Sequence, residues 1–198
     1  MKLDILYAST TGNAEMVAKK LMLLSKEAGF QSRMYEMNDF DFESFSKLKN
    51  VAIVTSTYGD GDVPDMGIDF WKSLEFRNTK LVNQNYGLIA LGDRSHDKFC
   101  GAGRKISMKL DKLESNRIID RLECDGGTEG TYEWSIKFIK VLKDKISSNL
   151  KMSPSGTCET CNNDSKKIAN KLNNRDPKDI NFNEAKKIFR PLTGKSED

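Results

Sequence analysis

Short apolar runs alternate with stretches of helical spacing along the first 150 residues. The first run covers residues 3–8 and ends in Ser-Thr-Thr-Gly-Asn, a turn-forming sequence. Val17, Ala18, Leu21, Leu24 and Ala28 then recur at the spacing of one helix face, which predicts a helix over 14–28 stopped by Gly29. A second strand is expected over 31–37, followed by a polar connection. Residues 51–56 read Val-Ala-Ile-Val-Thr-Ser, the β-branched run of a strand buried on both faces. A glycine-containing loop leads to a helix over 65–75 and a fourth strand over 86–92. A helix carrying Ile106, Leu110 and Leu113, a fifth strand over 118–124 and a closing helix over 132–146 complete the pattern.

Five short strands alternating with helices predict an α/β fold, a parallel sheet covered on both faces. Such sheets bind ligands outside the carboxyl ends of their strands. Three of those ends run into polar, glycine-containing loops, at 9–15, 56–65 and 91–103.

The chain has 198 residues, 37% hydrophobic and 31% charged, which suits one ordinary water-soluble domain with a remainder. Its net charge of +3 is unevenly placed: residues 1–150 hold 22 basic and 22 acidic side chains, residues 151–198 hold 10 and 7. The composition also changes there, to an Asn- and Lys-rich run with scattered apolar positions. A folded domain over 1–149 and a linker-like tail over 150–198, with short helical turns near 165–172 and 183–189, are therefore expected. The charge balance argues against nucleic acid as a partner. No apolar stretch reaches the roughly 18–20 residues of a membrane span, and no signal-peptide pattern precedes the first strand, so a cytoplasmic protein is expected. One histidine, His96, cannot build a multi-histidine metal site, and four cysteines are too few and too scattered for a disulfide scaffold.

The first loop joins a strand to a helix through Ser9, Thr10, Thr11, Gly12, Asn13 and Ala14. A helix N-terminus offers free N–H groups and a positive dipole end to a phosphate, and Gly12 lets the backbone turn around it. With no lysine or arginine in the loop, the donors suit a monophosphate rather than a triphosphate. The same residues equally describe a well-capped helix start. In the second loop, Tyr58 beside Gly59 and Gly61 suits a backbone passing close to a flat ligand, or a surface turn anchored by Tyr58. Asp60, Asp62 and Asp65 lack the further ligands and closing Glu of a calcium loop. The third loop carries His96, as a surface residue or as the second cover of whatever Tyr58 covers.

Ser-Thr-Tyr-Gly-Asp-Gly-Asp-Val-Pro-Asp at 56–65 and Leu-Gly-Asp-Arg-Ser-His-Asp-Lys-Phe-Cys-Gly-Ala at 91–102, with the first loop in order before them, resemble the flavodoxin-like FMN-binding domains. The likeness is to the FMN domains of diflavin reductases, such as the sulfite reductase flavoprotein, and to small stand-alone flavoproteins, and it covers residues 3–147. It implies a doubly wound sheet of order 2-1-3-4-5 and an FMN cofactor. By position, Ser9, Thr11, Gly12, Asn13 and Ala14 would hold the FMN phosphate. Tyr58 would stack on one ring face and His96, where many members carry tyrosine, would cover the other. Gly59 would supply the carbonyl that turns toward N5 of the reduced flavin. Thr10, Ser56, Thr57, Asp60, Gly61, Leu91, Gly92, Phe99 and Cys100 would complete the contacts, with Asp93 and Asp125 near the ring edge. Cys100 also matches a family cysteine of structural character.

The resemblance implies electron relay, with an FAD/NADPH reductase protein or domain as donor and a redox protein as acceptor. A phosphoacceptor domain of similar strand order is excluded, because Ser9 and Ser56 stand where it needs acidic residues. Asp60, Asp62, Asp65, Asp93, Asp97, Asp125 and Glu129, only partly offset by Arg94 and Lys98, are expected to give the flavin rim an acidic character that steers a basic partner face. Cys158 and Cys161 lack the second ligand pair of a structural zinc site and read as an incidental or regulatory thiol pair. Leu-Thr-Gly at 192–194 resembles the entry into the reductase module of diflavin enzymes.

Overall fold

Alternation along β1 (Lys2–Ala8) sends Leu3, Ile5 and Tyr7 to one face of a sheet and Leu6 and Ala8 to the other, as the two-residue period of a strand requires. The chain continues through α1 (Asn13–Glu27), β2 (Gln31–Glu36), a 3₁₀ turn (Met37–Asp39) and the short α2 (Phe42–Phe45). There follow β3 (Asn50–Ser56), α3 (Asp65–Glu75), β4 (Asn85–Gly92), α4 (Gly101–Lys112), β5 (Asn116–Arg117), β6 (Leu122–Asp125) and α5 (Thr131–Lys151). This computed structural model describes residues 1–151. The expected turns at 165–172 and 183–189, the Cys158 and Cys161 pair and the Leu-Thr-Gly segment lie outside the described residues. Among the described residues, no helix is long and apolar enough to cross a membrane.

The sheet is parallel and ordered β2-β1-β3-β4, with β5 and β6 both paired to β4. β3 and β4 fill its centre, and five consecutive residues of β3 are fully enclosed. Ala14, Val17, Ala18 and Leu21 of α1 pack with Trp134, Phe138 and Leu142 of α5 against one face. Phe70 and Leu74 of α3 and Ile106 and Leu110 of α4 pack against the other. The sheet is thus the doubly wound one expected, with its loop-bearing strand ends on one edge.

Two differences from the sequence pattern have local causes. The fifth strand, expected as one run over 118–124, is split. Tyr86 pairs with Arg117 and Ile89 with Leu122, so two residues of β4 face four of its neighbour. The loosened carbonyl of Asp120 accepts a 2.8 Å bond from Trp134 Nε1, and Arg121 reaches Ser107 Oγ at 2.9 Å. The excess is even, so the side chains after it keep the faces the pattern assigned them. The connection between the second and third strands contains α2, whose start is capped by Asp41 Oδ1 accepting from Ser44 N at 2.9 Å. Phe42 and Phe45 are buried on it.

Candidate functional site

At the carboxyl end of β1 the backbone leaves the sheet at Ser9, which is buried. Its hydroxyl accepts from Gly12 N at 2.9 Å and from Ala14 N at 3.2 Å. Ser9 therefore braces the loop from within, and Ala14, also buried, can offer a ligand only backbone. Gly12, at the cap position of α1, has φ of 87° and no side chain to offer, so Ser9 alone bonds the first turn, through Ala14 N. Among the described residues the N–H groups of Thr11, Asn13 and Glu15 have no partner. Thr10, Thr11 and Asn13 stand exposed around them. Three free N–H groups at the start of a fifteen-residue helix form an anion cradle.

Thr10 N donates to Ser56 Oγ at 3.0 Å, tying this cradle to the end of β3. The next residue holds an orphan: Thr57 Oγ1 is buried with no hydrogen-bond partner among the described residues. Such a group is unfavourable unless something absent from the polypeptide satisfies it. The second loop then closes as a tight hairpin, Tyr58 and Asp62 exchanging backbone bonds of 2.9 and 2.8 Å. Gly59 and Gly61 take φ of 47° and 84° within it, the left-handed region that glycine occupies freely. Tyr58 projects from this hairpin with 57% of its surface exposed, although no polar contact holds it there.

The third loop packs directly on the second. A Cβ placed on Gly101 would lie 2.8 Å from Gly61 Cα and 2.9 Å from its carbonyl oxygen. Asp60 pairs with Lys98, and Asp62 with Lys105 at 2.7 Å. Asp93 Oδ1 accepts from Ser95 N at 2.8 Å, and the hydrogen bonds from Ser95 hold its carboxyl below the usual range. His96 N donates to the Asp93 carbonyl at 3.2 Å, and its ring is exposed. Phe99, half-buried, lies under the guanidinium groups of Arg94 and Arg104, at 5.0 and 5.6 Å from its centroid. Leu91 and Cys100 turn into the core. Cys100 Sγ donates to Ala90 O at 3.4 Å, and burial pushes its thiol up to about 12.

A fourth loop, after β6, joins through Asp125. Its Oδ1 accepts from Arg94 N at 2.9 Å and its Oδ2 lies 3.5 Å from Arg94 Nε, while Gly126 N donates to Gly92 O at 2.8 Å. One continuous chain of contacts thus links the four loops. Gly101, Lys105 and Gly126 belong to that chain although the motif reading gave them no part. Gly101 stood inside the third motif, but only its contact with Gly61 reveals its use. The offset expected from Arg94 and Lys98 takes the form of ion pairs with Asp125 and Asp60, and Lys105 adds one more by pairing with Asp62. Asp65, Asp93, Asp97 and Glu129 carry what excess remains.

A monophosphate ester of a flat ring fits this donor set. Neutral N–H groups and an unsatisfied hydroxyl stand at one end, an exposed aromatic ring at the other, and no cationic side chain in the cradle calls for higher anionic charge. Comparison with known proteins agrees. The family model described as Flavodoxin matches residues 5–138. The sulfite reductase [NADPH] flavoprotein alpha-component of Vibrio cholerae is 33% identical over 147 residues, 73% of this chain and 24% of that protein. Its namesake from Bacillus subtilis is 32% identical over 161 residues, 80% of this chain and 27% of that protein. The chain therefore spans about a quarter of the length of the curated relatives it matches. Among solved structures, a flavodoxin of Streptococcus pneumoniae superposes with a TM-score of 0.65 at 26% identity, covering 73% of this chain and 99% of that one. The chain belongs to the flavodoxin family, and its cofactor is FMN.

Proposed function

We propose that this FMN protein relays electrons from an NADPH-dependent FAD reductase, as a separate protein or domain, to an acceptor protein. The observation that carries the reading is the Tyr58 ring, held largely exposed at the rim where the four loops meet. A ring stacked there would keep an edge open to a partner, as transfer between proteins requires. FMN, when bound, accepts electrons in a pair and releases them singly. The protein's share is to hold, orient and shield. The free N–H groups of Thr11, Asn13 and Glu15, the Thr10 side chain and the Thr57 hydroxyl would hold the phosphate. Tyr58 would cover one ring face and His96 the other. Gly59, with no Cβ to restrict its peptide, would present its carbonyl to the ring. Ser9 and Ser56 would position the cradle through the bonds they accept. Residues 1–149 would form the working domain and 150–198 a linker.

A second reading makes the chain the FMN component of an NADPH-dependent diflavin reductase. It is favoured by the identity to the sulfite reductase flavoprotein, 33% against 26% for the pneumococcal flavodoxin. NADPH discriminates between the two. For the carrier, NADPH alone leaves the flavin of the purified protein oxidised, and a catalytic amount of an FAD reductase then bleaches it. Bleaching by NADPH alone of the protein isolated together with the partners it binds would establish the second reading, and failure of the purified protein to bleach with the reductase present would overturn the first. The reduced acidic excess at the rim should make the rate with reductase fall only moderately as salt rises.

A further inference from the structure

A groove of about 630 Å³ opens at the amino-terminal ends of β1 and β2, the opposite end of the strands from the FMN loops. Its origin is the short connection between β2 and β3. The four residues of α2 cannot cover the sheet in front of β2, so Gln31 and Arg33 stay exposed and Tyr35 half-buried. Lys2 and Asp4 of β1 lie in register beside Gln31 and Arg33. Residues 47–50 form the facing wall.

The groove lining combines two chemistries, which adjoin where Arg33 meets the Tyr35 side chain. Lys2, Arg33, Lys47 and Lys49 supply four cationic groups, against the single carboxylate of Asp4. Among the described residues, none of the four is in an ion pair. This contrasts with the flavin rim, where Lys98, Lys105 and Arg94 all have carboxylate partners. Like charges gathered around one concavity repel one another and concentrate an anion there. The guanidinium fork and ammonium groups are the donors that phosphate takes best. Beside the cations, Tyr35 and Phe40 meet edge to face with centroids 5.2 Å apart, and Leu48 is the third apolar residue of the lining. The volume lies in the range of small-ligand sites, roughly 300–1,000 Å³.

We propose that this groove is a second ligand site that takes a nucleotide, its phosphates against Lys2, Arg33, Lys47 and Lys49 and its base against Tyr35 and Phe40. The site is independent of the FMN loops, so its occupant need not be redox-active. Asp4 on the floor limits the total charge the groove can attract and offers one acceptor to a base amine.

The test is calorimetric titration of the FMN-loaded full chain with ADP, and with pyrophosphate and adenosine as its two halves. ADP should bind with a Kd below about 1 mM, and each half at least about tenfold more weakly. The flavin absorbance should stay unchanged throughout. Arg33→Gln with Lys49→Gln, both at exposed positions, should weaken ADP about tenfold or more. Lys137→Gln with Lys140→Gln on α5 makes the same change in net charge and should leave the affinity intact. Absence of ADP binding, equal weakening in both double variants, or release of FMN by ADP would overturn the proposal. So would pyrophosphate or an oligoglutamate peptide binding as tightly as ADP, because either removes the case for base recognition.

Discussion

Replacing Gly101 by alanine tests whether the contact between the second and third loops sets the FMN site. The new Cβ would stand 2.8 Å from Gly61 Cα and 2.9 Å from its carbonyl oxygen, both backbone atoms that no rotamer change can move. Carbon atoms pack at about 3.5–4.0 Å, so the hairpin carrying Tyr58 must retreat by about 0.7–1.2 Å, or α4 must shift away from it. Overpacking of this kind costs about 1–3 kcal/mol. Relieved by moving the hairpin, the same free energy appears as lost ligand affinity, about 5- to 150-fold in Kd. The apoprotein, which can relax along the exposed loop, should lose less than that in urea unfolding. Quenching of FMN fluorescence on titration with apoprotein reads the affinity, and the urea midpoint reads the stability. FMN affinity within twofold of the parent would refute the idea that Gly61 and Gly101 position the ring-facing hairpin.

Thr57→Val removes a buried hydroxyl that has no partner. It should stabilise the apoprotein by up to about 1 kcal/mol while weakening FMN about tenfold, a divergence visible by comparing urea unfolding with FMN titration. Glu123 accepts from Arg104 at 2.9 and 2.7 Å, bonds that, with those from Arg121, hold its carboxyl below the usual range. A depressed folded-state value stabilises above the unfolded-state value near 4.5 and is lost as pH falls through the folded one. Glu123→Gln should thus be less stable than the parent by about 1–2 kcal/mol at pH 7, with the gap closing toward pH 3 in parallel urea series. Burial pushes the thiols of Cys100 and Cys124 up to about 12 and about 11. Iodoacetamide at pH 8 should leave both unmodified until the chain unfolds, as peptide mass mapping would show.

The central strands and four long helices were legible because burial imposes periodicity on sequence, and residues 51–56 carry no polar interruption before Thr55. The split of the fifth strand leaves no mark on the hydrophobic pattern because its two extra residues preserve alternation. The long-range bonds of Trp134 and Arg121 that hold the bulge leave no local signal. α2 is too short to show a period, although Asp41 followed by Ser44 is a cap in hindsight. At the site, loop positions followed from the motifs, but the direction of each side chain did not. Ser9, Ala14, Leu91 and Cys100 stand in the motifs and turn inward. The acidic rim was overestimated by one charge for a related reason, since Asp62 and Lys105 lie far apart in sequence and meet only through folding. The anion groove was invisible for the same cause: Lys2, Arg33 and Lys49 come from three separate strand starts.

The most direct measurement is a fluorescence titration of FMN with the purified apoprotein. One FMN bound per chain, its emission quenched as the ring stacks at Tyr58, is the expected result, and Tyr58→Ala should restore much of that emission. Emission that stays undiminished at excess protein would contradict the assignment of the four loops as an FMN site.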